Sequence, residues 1–211
     1  TKGIGLVQSY IEARSLQEHL SAGRSFSEAD LQDIATQLLD ILTYAHGLGI
    51  IHRDLKPSNI LLEDERSAHP DSVGVGQIYL IDFGSVQNLA AVQGGTITVV
   101  GTYGYMPPEQ FGGKAVPASD LYSLGATLIY LLTGCHPADL PQDELRLQFE
   151  ERVQGDGLSQ RWVTWLQKMV EPNVAERFPS ADAAKAVLLE EMAIADVLPS
   201  PLSSYPPPPA T

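Results

Sequence analysis

At 211 residues, 44% of them hydrophobic, the chain has room for one large domain or two small ones around a real core. Its 13 Lys and Arg stand against 26 Asp and Glu, a formal charge of −13 with no basic run, which excludes an electrostatic nucleic-acid binder. Cys135 is the only cysteine, so no disulfide forms within the chain, which fits a reducing cytoplasmic compartment.

In chain order, Gly5 to Ile11 reads as a short apolar strand, broken by Glu12-Ala13-Arg14. Ser15-Leu16-Gln17-Glu18 carries the S-x-x-E capping pattern of a helix start. A second helix begins at Ser27–Glu28. Its residues Leu31, Ile34, Ala35, Leu38, Leu39, Ile41, Leu42 and Ala45 recur at three and four and form one wide apolar stripe. Gly47 and Gly49 end it, and His46 is read as packed or capping. Next comes Ile51-His52-Arg53-Asp54-Leu55-Lys56-Pro57-Ser58-Asn59, then the strand-length run Ile60-Leu61-Leu62. Pro57 forbids a regular helix here, so the polar groups lie on a loop entering a buried strand.

Glu63 to Gln77 is a polar surface loop, in which His69 is read as solvated. The strand Ile78 to Ile81 runs into Asp82-Phe83-Gly84. Phe83 is expected to lock into the core, and Gly84 to permit the turn that aims Asp82. Ser85 to Met106, rich in Gly, Thr and small residues, leads to Pro107-Pro108-Glu109. Ser119-Asp120 is expected to cap a helix that is apolar nearly all round and so belongs at the centre of the domain. Its Leu121 to Leu132 stretch is too short for a bilayer, which takes roughly 20 residues. Gly134 stops it, and Cys135-His136-Pro137 reads as a structural turn rather than a metal site. Trp162, Trp165, Leu166 and Met169 mark another packed helix, and Ser180 caps a last one running to about Met192. Pro199 to Thr211 is a proline-rich linker or tail, expected to be extended or disordered.

The chemistry concentrates in the stretch from Ile51 to Asn59. A carboxylate can accept a hydroxyl proton, an ammonium can neutralise phosphate charge, and an amide oxygen can ligate a hard cation. The stretch resembles the catalytic loop H-R-D-L-x-x-x-N of eukaryotic-type protein kinases. Lys56 resembles the serine/threonine branch of that family. Asp82-Phe83-Gly84 after a strand, and the segment ending in P-P-E where the family has A-P-E, resemble its next two motifs.

The resemblance implies a mainly α, protein-kinase-like fold of α+β type: a helical large lobe with short strands at its catalytic face. It implies a serine/threonine protein kinase that uses ATP and Mg²⁺ on Ser or Thr hydroxyls of proteins in signalling. Asp54 would orient the hydroxyl and accept its proton, Lys56 would offset γ-phosphate charge, and Asn59 and Asp82 would hold Mg²⁺. The backbones of Ser9 and Ile11 would meet adenine, with Gln8 at the gate of the deeper pocket, and Leu16 and Leu61 would sandwich the base. Thr102 would bond the catalytic Asp and Lys. Thr96 and Thr98 are candidate phosphorylation sites, and Arg53 would receive such a phosphate. Asp120 would brace the catalytic loop backbone, and Arg177 would pair with Glu109.

The family's small lobe carries a Gly-rich loop, a strand lysine and a partner glutamate, none of which the sequence contains. Gly3-Ile4-Gly5 is followed by Gln8 rather than glycine, and Lys2 is the only lysine before the catalytic loop. Gly112-Gly113-Lys114 fails as a Walker loop. The resemblance covers residues 5 to 192 and divides the chain into a hinge (1–14), a large lobe (15–193) and a proline-rich tail (194–211). With the start at Thr1, this raises the expectation of upstream sequence. A kinase-like binding module without activity, and a small-molecule kinase of related fold, are the competing readings.

Overall fold

The computed structural model describes residues 10–63, 74–83, 87–88, 100–153 and 158–197, with the side chains of 87–88 and 191–197 left aside. The expected strand from Gly5 to Ser9, Gln8, Ser9, Gly84, Thr96 and Thr98 lie outside these residues. Tyr10 to Ala13 form no strand, and the first strand is instead β1 (Arg14–Ser15). Glu12-Ala13-Arg14 was expected to break the extended chain, but Arg14, with the capping Ser15, pairs antiparallel with Leu62 and Leu61 and so joins a sheet.

Two reciprocal caps start the first helices. In α1 (Leu16–Ser21), the Ser15 hydroxyl accepts from the Glu18 N–H at 3.2 Å while Glu18 Oε2 accepts from the Ser15 N–H at 2.8 Å. Ser27 and Asp30 repeat the device ahead of α2 (Glu28–Gly47), with distances of 3.2 and 3.0 Å. Of the stripe, Leu31, Ile34, Ala35, Leu38, Leu39, Leu42 and Ala45 are buried, as their spacing requires, while Ile41 is partly buried at the edge of the same core.

After β2 (Ile50–Ile51), the chain makes a 3₁₀ turn at Pro57–Asn59 and enters β3 (Ile60–Glu63), which pairs antiparallel with β4 (Gln77–Leu80). The three-stranded sheet has the order β1-β3-β4. A second, two-stranded sheet joins β2 to β5 (Gln87–Asn88). The approach to β4 is stitched to α2. The Val75 N–H donates to Asp33 Oδ2 at 2.8 Å, and the Gln37 amide bonds both the Gly76 carbonyl and the Ile78 N–H.

A short α3 (Pro108–Phe111) precedes α4 (Pro117–Thr133), which is buried continuously from Ala118 to Ile129 and packs against α2, α5 and α6. This is the central helix, as its all-round apolarity implies, but it begins earlier than Ser119. Pro117, whose missing N–H costs nothing in a first turn, opens it, and the Ser119 hydroxyl accepts from the Val116 N–H at 3.0 Å. Asp120 is therefore not a cap, and its carboxylate is free to serve the catalytic loop. The helix ends at Gly134 in left-handed backbone, φ 66°.

The Cys135-His136-Pro137 turn is structural, with His136 Nδ1 accepting from the Ala138 N–H at 3.2 Å. Among the described residues, no group of three His, Cys, Asp or Glu is placed to hold a metal, and no helix is long and apolar enough to cross a membrane. A hairpin of β6 (Gln142–Asp143) and β7 (Arg146–Leu147) leads to α5 (Gln160–Met169) and α6 (Ala181–Val197). Trp162 and Trp165 stack at 5.0 Å between ring centroids, both 1% exposed, and Trp165 Nε1 donates to the Ala184 carbonyl at 2.9 Å. The Ser180 hydroxyl caps α6 through the Ala183 N–H. That helix runs to Val197, past Met192, because no proline or glycine interrupts the sequence before Pro199.

Candidate active site

The loop between β2 and β3 is held from beneath by α4. Asp120, fully buried, accepts from the His52 N–H at 2.9 Å and from His46 Nε2 at 2.8 Å through one oxygen, and from the Arg53 N–H at 2.8 Å through the other. Those bonds hold Arg53 in left-handed backbone, φ 68°, a conformation that non-glycine residues adopt at a cost. His52 then ties the loop to β4. Its Nε2–H donates to the Ile81 carbonyl at 3.0 Å, and its Nδ1 accepts from the Asp54 N–H at 3.3 Å. Asp120→Asn replaces one acceptor oxygen by a donor facing a donor. We expect it to lower unfolding free energy by about 1–3 kcal/mol in urea titrations followed by circular dichroism.

Above this brace, four side chains close on one another. The Thr102 hydroxyl donates to Asp54 Oδ1 at 2.6 Å and accepts from Lys56 Nζ at 2.8 Å. Lys56 Nζ also lies 2.9 Å from Asp54 Oδ2. Asn59 Nδ2 donates to the Asp54 carbonyl at 2.8 Å and reaches Asp54 Oδ2 at 3.3 Å. Burial raises the Asp54 pKa, but the bonds from Thr102, Lys56 and Asn59 and the Lys56 charge outweigh it, holding the carboxyl below its ordinary range. Asp54 is therefore ionised at neutral pH, and its pairing weakens only as pH falls through that depressed pKa. Thr102→Val removes one donor and leaves the burial. The acid limb of a pH–rate profile should consequently move to higher pH, and an unmoved limb would remove Thr102 from the control of Asp54.

Asp82 sits one residue beyond the Ile81 N–H, which donates to the Asn59 carbonyl at 2.9 Å, so the two positions are joined through backbone. Asp82 is exposed and has φ 62°. That left-handed turn carries Phe83 outward. Its ring is 40% exposed and touches the edge of His52 at 4.8 Å, so it is not locked in the core as expected. On the expected adenine side, Ile11 and Leu61 are partly exposed, whereas Leu16 is wholly buried and presents no surface to a ligand.

The segment carrying Thr102 is anchored at its far end. Arg177, 3% exposed, grips Glu109 with two prongs, Nη1–Oε1 at 2.8 Å and Nη2–Oε2 at 3.2 Å. It also donates to the carbonyls of Ala118 and Glu171. Burial raises the Glu109 pKa, but Arg177 and the Ser119 hydroxyl outweigh it and hold the carboxyl below its ordinary range. A cavity of about 210 Å³, lined among others by Tyr103, Met106, Phe111 and Leu145, opens along this segment. No sequence pattern marks Gln110, which is 2% exposed and bonds the backbone of both the catalytic loop and the segment bearing Thr102.

Residues 1–188 match the family described as protein kinase domain. The chain is 36% identical over 187 residues to serine/threonine-protein kinase F of Synechocystis sp., covering 87% of this chain and 36% of that protein. It is 45% identical over 141 residues to serine/threonine-protein kinase PknA of Nostoc sp., covering 64% of this chain and 23% of that protein. Against serine/threonine-protein kinase PrkC of Bacillus subtilis the identity is 35% over 139 residues, or 64% of this chain and 19% of that protein. The chain thus spans about a third or less of the length of these relatives. A catalytic-loop motif, the Asp82 that follows β4 and the anchored P-P-E segment, joined in one fold and matched along residues 1–188, place this chain in the protein kinase domain family.

Proposed function

We propose that this chain is the catalytic large lobe of a serine/threonine protein kinase, one that moves the γ-phosphate of ATP to Ser or Thr hydroxyls of protein substrates. The observation that carries the reading is the closed ring of Asp54, Thr102 and Lys56. It joins the catalytic loop to the segment that faces a substrate. Asp54 Oδ2, which faces Lys56 and Asn59, would orient an incoming hydroxyl. With its pKa depressed, Asp54 is a weak base, which suits phosphoryl transfer through a loose transition state where the proton leaves late. Lys56, 24% exposed at its side chain, offsets charge on the transferred group.

Mg²⁺ fits the donor set. The Asn59 amide nitrogen is engaged by Asp54, which leaves the amide oxygen as its free end, and Asp82 offers an exposed carboxylate. Two hard oxygen donors completed by phosphate and water suit that ion. Bound Mg²⁺ would neutralise phosphate charge. Ile11 and Leu61 are the described residues that would meet adenine, with Ser9 as a further contact. Arg53 would receive a phosphate on Thr96 or Thr98. A cytoplasmic signalling enzyme is the setting this reading implies.

The test is phosphate transfer from labelled ATP with Mg²⁺, in the full-length protein, to matched peptides whose acceptor is Ser, Thr or Tyr. Transfer to Ser and Thr but not Tyr supports the reading. Absence of transfer to any of them would sink it and leave a kinase-like binding module.

A further inference from the structure

We propose that Gln110 is a positioning residue for phosphoryl transfer, a clamp that sets the register between the catalytic loop and the segment bearing Thr102. This rests on the kinase reading above. The Gln110 side chain leaves the single-turn helix α3 and enters the protein beneath the active site, where it is 2% exposed. Its Nε2 donates to two carbonyls at once, that of Arg53 at 2.6 Å and that of Val100 at 2.6 Å. The first carbonyl belongs to the peptide joining Arg53 to Asp54. The second lies two residues before Thr102, whose hydroxyl bonds Asp54. One amide group therefore spans the two pieces of chain whose relative placement decides whether Thr102 and Asp54 meet.

The neighbours are built around this amide. Gly101, between Val100 and Thr102, has φ 135°, and a Cβ added there would lie 2.6 Å from Gln110 Nε2 and 3.0 Å from the Arg53 carbonyl oxygen. Only glycine leaves room for the bridge. The other end of the amide, Oε1, is buried and accepts no hydrogen bond from the described residues. A buried carbonyl oxygen without a donor is costly, so this position is poorly explained by stability alone. A leucine or methionine would fill the same space without that cost, but it would supply no donor for the two backbone carbonyls, one from the catalytic loop and one from the segment bearing Thr102.

The clamp differs from the two contacts already described. Asp120 fixes the Arg53 N–H from below, and Arg177 fixes Glu109 at the distant end of the segment. Neither bridges the catalytic loop to the residues preceding Thr102. Gln110 does so directly, and it acts on Asp54 only through backbone.

Gln110→Met keeps the volume and removes the donor, and Gly101→Ala keeps the donor and pushes it aside. Both variants should be made in the full-length protein and measured for peptide phosphorylation and for amide hydrogen exchange. The clamp predicts a fall in kcat on the order of 10- to 100-fold for Gln110→Met, the scale of a small misplacement of reacting groups. The KM for ATP should stay within about twofold. Exchange should quicken in residues 52–56 and 100–106 and remain unchanged in α2 and α4. Unchanged kcat, or faster exchange throughout the helical core, would overturn the proposal. If the unmutated protein transfers no phosphate, the kinase reading fails, and the exchange pattern by itself decides whether the clamp exists.

Discussion

Asp54→Asn in the full-length protein should lower kcat by about 10²–10⁴-fold, the range typical of a group that handles a proton in the transition state. The change is nearly isosteric, so the fold should survive it. The carboxamide keeps one oxygen, and Thr102 can still donate to it. What is lost is the negative charge that faces Lys56 at 2.9 Å and the oxygen that would take the substrate proton. Because the interaction is made mainly in the transition state, kcat and kcat/KM for the peptide should fall together. A KM effect at unchanged kcat would mean that Asp54 only binds. Near-normal turnover would remove it from the chemistry.

Among these variants Arg177→Ala should be the most destabilising, at about 3 kcal/mol, because it strands a half-buried carboxylate rather than simply deleting a contact. Every face of the guanidinium is used: two prongs to Glu109, bonds to the carbonyls of Ala118, Glu171 and Pro172, and the Tyr122 ring at 5.2 Å. In a domain of this size such a loss lowers the melting temperature by on the order of 10 °C in calorimetry. Arg177→Met combined with Glu109→Leu should recover part of it, since removing both charges also removes their desolvation cost. If the double variant is as unstable as the single one, backbone anchoring by Arg177 outweighs the ion pair. An unchanged melting curve for Arg177→Ala would show that the pair contributes nothing net.

The helical frame was legible in the sequence where the signals are local. The Ser15 cap with Glu18, the start of α2 at Ser27, the α2 stripe and the all-round apolar α4 each depend on residues within a turn or two. Motif spacing likewise marked Asp54, Lys56, Asn59 and Asp82, although only the family resemblance connected Glu109 to Arg177 and Thr102 to Asp54. What stayed hidden depends on how elements meet. Leu16 follows a capping serine at the head of a short helix, and nothing local shows that it is sealed under the core. Phe83 carries the hydrophobicity of a core residue, yet the left-handed backbone at Asp82 turns it outward. Gln110 sits at no periodic position, and its role exists only because Arg53 and Val100 bring two carbonyls to the same point.

The stacked Trp162 and Trp165 are the only tryptophans in the chain, and both belong to α5, on the side of the molecule held by α6. Intrinsic fluorescence excited at the indole band therefore reports on a single place. Loss of the α5–α6 packing would wet both indoles and shift their emission to the red, whereas rearrangements confined to the catalytic loop would leave the emission unchanged. The protein thus carries an optical gauge of the integrity of its helical body that is blind to its chemistry, so a variant with normal emission and no turnover has lost catalysis and kept its fold.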